Sequence, residues 1–183
     1  MPSADARWTA ALARHDAAVA DYRATARAVP VERWHVPRAA GKWSPAEETR
    51  HLTLAYRVLA HELEGGPSMA VRGHWWQRAL LRVVILPRIL RSGRLPAGVR
   101  APPELRPPTT TDGPATALDR FDEAVTAFTR AIVAVRAREP GRRLVHPYFG
   151  HLPLDVVIRF AAIHTSHHLT FLPTAAGSRR AEN

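Results

Sequence analysis

The chain has 183 residues, no cysteine and a formal net charge of +10 from 26 basic and 16 acidic residues. That length is enough for one domain with a real core, and the lack of cysteine excludes disulfides, thiolate metal ligands and cysteine nucleophiles. The charge is a poor pointer to nucleic acid: only Lys42 is a lysine, the Arg/Ala/Pro bias is that of a high-GC coding sequence, and the basic residues scatter along the chain.

The start, Met1-Pro2-Ser3-Ala4-Asp5, has no basic n-region and no apolar h-region, so a cytoplasmic location is expected. From Asp5 to about Ala28, Trp8, Leu12, His15, Val19 and Tyr22 recur at spacings of four and three, the stripe of an amphipathic helix that Pro30 ends. His15 on that stripe reads as a core-edge histidine with a hydrogen bond rather than a ligand. After a connection with Pro30, Pro37 and Gly41, the run Trp43-Ser44-Pro45-Ala46-Glu47 has the form of a helix start. Ser44 is the cap, Pro45 takes the first helical position and Glu47 closes a capping box. That helix runs to about Glu64, with Leu52, Ala55, Leu59 and Leu63 on its apolar face and His51 at the face's margin.

Residues 69–108 are the least regular part. Trp75 to Leu90 is apolar with Arg78, Arg82 and Arg88 interspersed and Pro87 inside, too charged and too short for the roughly 20 apolar residues that span a bilayer. It suits a short surface helix, a lid or a dimer contact. A Trp/Leu stripe at helical spacing is expected to pack against protein, so a membrane surface is not the expected partner. Arg91 to Pro108 reads as an irregular loop. A third long helix, about Ala115 to Arg138, has the cleanest stripe of the chain in Leu118, Phe121, Val125, Phe128, Ile132 and Val135. Arg142 to Leu152 reads as a loop holding His146-Pro147-Tyr148-Phe149-Gly150. A last helix runs from Pro153 to about Leu172, with Val157, Phe160, Ala161 and Phe171 on one face and His164 and His168 within it.

No convincing period-2 strand is seen. The expected fold class is therefore all-α: an antiparallel four-helix bundle with a long irregular and short-helical insertion between its second and third long helices. Residues 1–175 would form one domain and residues 176–183 a frayed tail.

His164 and His168, four apart, stack on one helix face and make a two-point ligand, and His51 would supply a third imidazole from another core-facing helix. Three histidines with a coordination position left open is the pattern of a catalytic metal site. The same spacing also suits core histidines bonded to backbone or to one another.

Together, Gly41-Lys42-Trp43-Ser44-Pro45-Ala46-Glu47 with His51-Leu52, then His146-Pro147-Tyr148-Phe149-Gly150, then His164-x-x-His167-His168-Leu169, resemble the DinB/YfiT-like superfamily. The resemblance implies a four-helix bundle holding a divalent metal (Zn, Ni, Fe or Mn) on His51, His164 and His168. His167 is the rival for the last place, lying about 100° from the shared face. It also implies a metal-dependent enzyme, either a transferase using a small thiol or a hydrolase acting on a small-molecule substrate. Glu47 and His146 are then candidates to hydrogen-bond a ligand or to act as a base. The alternative is a non-catalytic stress or binding protein whose metal site is structural or vestigial and whose basic surface meets a partner or membrane. A homodimer through Trp75 to Leu90 is a further expectation.

Overall fold

The computed structural model describes residues 3–96 and 101–173; the expected tail 176–183 lies outside them. Four long helices carry the core: α1 (Ala4–Arg27), α2 (Pro45–Leu63), α5 (Pro114–Arg138) and α6 (Leu154–Leu169). Between α2 and α5 lie α3 (Trp75–Leu80), a π-helical turn (Leu81–Ile85), α4 (Leu86–Ser92) and a 3-10 turn (Pro103–Leu105). Pro87 has no N–H to donate to the preceding turn, which accounts for a wide turn directly before it.

Two of the long helices start on side-chain caps. Ser3 Oγ accepts from the Ala6 N–H. At α2, Ser44 Oγ accepts from the Glu47 N–H while the Glu47 carboxylate accepts from the Ser44 N–H at 2.8 Å, a complete capping box. The α5 stripe is buried at all six positions, and Tyr22, Trp34, Leu52, Phe121, Phe128 and Ile158 fill the centre. On α1 the outermost stripe members, Trp8 and Leu12, pack on the core while remaining partly exposed. Arg136 covers Trp8 from above, 5.0 Å from the ring centre.

Helix directions follow from cross-helix pairs. Asp5 opens α1 and pairs with Arg136 near the end of α5, while Arg23 pairs with Asp122, so these two helices are antiparallel. Glu48 in the first turn of α2 meets His168 at the end of α6, so these are antiparallel as well. Ala46 and Arg50 of α2 face Ala117 and Arg120 of α5, which puts both helix starts at one end. It follows that α1 and α6 also run in one direction. The most extensive contacts are those parallel pairs, α1 with α6 and α2 with α5. A parallel neighbour needs a connection as long as the helix, and the segment 64–113 supplies it.

Residues 142–152 are not a loop: β1 (Arg143–His146) and β2 (Gly150–Pro153) form an antiparallel hairpin pairing Leu144 with Leu152 and His146 with Gly150. Gly150 has φ +68°, which only glycine adopts without strain, and it closes the turn. Four-residue strands are too short to show an alternation in sequence. The buried Glu62 of α2 pins the hairpin, its Oε1 accepting from the Val145 N–H at 2.8 Å and from Ser68 Oγ at 2.9 Å.

Candidate metal centre

His51 projects from the second turn of α2, and His164 and His168 from the last turns of α6. The antiparallel α2/α6 packing brings all three together, with one ring nitrogen from each within 4.8 Å of the others. His164 Nε2 lies 3.1 Å from His51 Nε2 and 3.1 Å from His168 Nε2. His51 and His168 are buried and His164 is half-buried; Trp43 stacks on His168 at 6.2 Å between ring centres and lies tilted against His51 at 4.9 Å.

The other ring nitrogens decide what faces the centre. His51 Nδ1 is 2.6 Å from the Leu105 carbonyl, which can only accept, so Nδ1 carries the proton and Nε2 presents a lone pair. His168 Nδ1 is 2.6 Å from Glu48 Oε2. With Glu48 ionised, Nδ1–H donates to it and His168 Nε2 likewise presents a lone pair. His164 Nε2 then faces two lone pairs with at most one proton. If instead a protonated Glu48 donates to His168, the Nε2–H of His168 and that of His164 compete for the same space. Neutral imidazoles give these two contacts at most one shared proton and never one each, and burial works against protonating them further. Burial holds His164 well below the usual histidine range, followed by the charge of His51, and burial likewise holds His168 well below it. Burial also lowers His51, against the pull of its bond to Leu105.

A cation among the nitrogens resolves this. Two nitrogens each about 2 Å from one ion stand about 3 Å apart, close to the 3.1 Å separations seen. The donor set of neutral imidazoles, two with the opposite nitrogen already hydrogen-bonded, is how histidine is presented to divalent ions.

His167 is placed outside the group. Its ring is half-buried, 5.4 Å from that of His168 and edge-on to Phe171. Glu47 is spent on the capping box. His146 sits on β1, where its Nδ1 accepts from the backbone N–H of Tyr148 and of Phe149; it stacks on Phe149, and burial lowers it to about 4. Neither Glu47 nor His146 hydrogen-bonds a member of the triplet.

The groups that do so were not singled out from sequence. Glu48 lies three residues before His51, hence on the same face of α2, and that spacing was the available signal. Burial pushes its carboxyl up to about 8, opposed by the charge of Arg38. Leu105 gave no signal, since its contribution is a backbone carbonyl from the irregular segment. His15 is fully buried with Nε2 3.0 Å from Tyr56 OH, which in turn lies 2.8 Å from Thr165 Oγ1. This chain of bonds ties α1, α2 and α6 together next to His164.

A family model described as the DinB superfamily matches residues 14–172. Among solved structures, a crystal structure of TT2238, a four-helix bundle protein, is similar with a TM-score of 0.54 and 21% identity, covering 89% of this chain and 95% of that one. YfiT from Bacillus subtilis is similar with a TM-score of 0.60 and 14% identity, covering 99% and 90%. That protein is described as a probable metal-dependent hydrolase with an unusual four-helix bundle topology. No curated protein matches the sequence.

Proposed function

This chain belongs to the DinB superfamily, and on that premise we propose that it is a divalent-metal-dependent enzyme, a hydrolase or a small-thiol-dependent transferase, with His51, His164 and His168 as the metal ligands. The observation that carries the reading is the buried cluster of three imidazoles with two 3.1 Å nitrogen contacts and at most one proton to share between them. Of the expected ions, Zn, Ni and Fe suit an all-imidazole donor set better than Mn. When bound there, a divalent ion supplies Lewis acidity toward a water, a thiol or a substrate oxygen.

The chain's own residues supply the rest. The Leu105 carbonyl fixes the ring of His51 so that it presents Nε2, and Glu48 in its ionised form does the same for His168. Trp43 covers two of the rings and limits water. Arg38 lies over Phe171, 3.7 Å from its ring centre, and its charge reaches Glu48, His167 and His168. It gives this side of the site a positive potential, which favours an anionic thiol or substrate. The alternative is a non-catalytic protein that keeps the ion for structure.

Elemental analysis of protein purified without a metal-affinity tag tests the ligand set. The expected result is about one equivalent of a divalent metal, lost in both His51→Ala and His164→Ala. Metal-loaded protein is then assayed for consumption of small thiols and for ester and amide hydrolysis. Bound metal without turnover points to the structural alternative. No bound metal, with both variants unchanged, overturns the site itself.

A further inference from the structure

The stripe expected to pack against the bundle does not. Trp75 and Val83 are 74% and 73% exposed, and Trp76, Leu80 and Val84 are each more than half exposed. They fall at 75/76, 80 and 83/84, successive turns of the same side of α3 and the π turn, while the opposite side seats Leu81, Ile85, Leu86 and Ile89 on the bundle. The result is a ridge of five large apolar side chains that, apart from His74 stacked on Trp76, no described residue covers. Its electrostatics are equally one-sided. Between Glu64 and Glu104 there is no acidic residue, and there are seven arginines. The side chains of Arg82, Arg88, Arg91 and Arg94 are exposed and form no ion pair or hydrogen bond among the described residues.

We propose that this segment is a docking surface for an anionic lipid bilayer, lying in the headgroup region with Trp75, Trp76, Leu80, Val83 and Val84 inserted and the flanking arginines on the lipid phosphates. Tryptophan at the edge of an apolar ridge suits the boundary between water and acyl chains. Arginine pairs with phosphate in a bidentate manner. Charge complementarity selects this occupant over a second copy of the chain. Two copies meeting through this ridge bring the same uncompensated arginines face to face, on a protein that already carries a net charge of +10. Among the described residues no helix is long and apolar enough to cross a membrane, so the segment lies on the surface.

The test is flotation of the full chain with phosphatidylcholine vesicles and with vesicles containing about a third phosphatidylglycerol, alongside light scattering without lipid. The expected result is binding to the anionic vesicles only, weakened as salt rises. Removing Arg82 and Arg88 together (R82Q/R88Q) should reduce the partition coefficient roughly 25-fold, from about fivefold per arginine. Trp75→Ser with Trp76→Ser should reduce it about tenfold or more and abolish the blue shift of tryptophan emission on binding. None of the four side chains is among the hydrogen-bond or ring partners of the histidine triplet, so metal content is expected to stay at the parent level, which separates this test from that of the proposed function. Three outcomes overturn the proposal: no binding to anionic vesicles, binding unchanged in both double variants, or a lipid-free dimer that the tryptophan substitutions dissociate.

Discussion

Replacing Glu48 by Gln should move metal affinity and apo stability in opposite directions. Glu48 is buried, with Oε2 2.6 Å from His168 Nδ1. Gln keeps the shape and an acceptor oxygen but not the charge. A hydrogen bond to a charged group contributes about 1.5–3 kcal/mol and a neutral one about 0.5–1.5, so the change costs roughly 1–1.5 kcal/mol of ligand orientation. That is about tenfold in metal affinity, the lower end of what losing the partner of a ligating histidine causes. Stability in the absence of metal goes the other way. Burial raises the Glu48 carboxyl from 4.5 to about 8. A carboxyl raised in the folded state costs nothing below its unfolded pKa and costs progressively more as pH climbs toward its folded one. At about 1.36 kcal/mol per unit, the parent loses on the order of 4 kcal/mol between pH 4.5 and 8 that the non-titrating Gln does not lose. The assays are competition against a chromophoric chelator for affinity, and urea denaturation of metal-free protein at pH 4.5 and 8 for stability. Affinity within twofold of the parent, or an apo variant less stable than the parent at pH 8, would rule out this role for Glu48.

Burial lowers the folded pKa of His146 from 6.5 to about 4, so its contribution is present above pH 6.5 and lost as pH falls through that window, about 3 kcal/mol in all. Urea midpoints for His146→Gln at pH 7.5 and 4.5 should differ by less than those of the parent. Tyr56→Phe removes a buried hydroxyl shared by His15 and Thr165. Leaving those partners unpaired should cost about 1–3 kcal/mol by denaturant titration. Ser44→Ala breaks the α2 capping box and should cost about 1 kcal/mol in the same assay, with metal content retained.

The helical periods, the capping box and the two-histidine spacing are local properties. A period of 3.6 residues and the chemistry of a cap are written in consecutive residues, so four long helices and the stacking of His164 over His168 were legible in the chain alone. The α5 stripe illustrates this: every position assigned to the core is buried. Glu47 shows the reach of the same local rule, since its spacing from Ser44 already made it a cap before it could be anything else.

What required tertiary structure was anything set by two distant segments. The direction of α5 relative to α2 depends on where a long crossover ends, and no local pattern records it. The hairpin at 143–153 depends on Glu62, a residue of another element that takes up the Val145 N–H. The partners of the histidines came from Glu48 and from a backbone carbonyl at Leu105, far from them in sequence. The exposed ridge at Trp75 to Val84 is of the same kind: its apolar content is a sequence property, but whether a neighbour covers it is decided only by where the rest of the chain goes. Spacing specifies which side chains share a face; only packing specifies what that face meets.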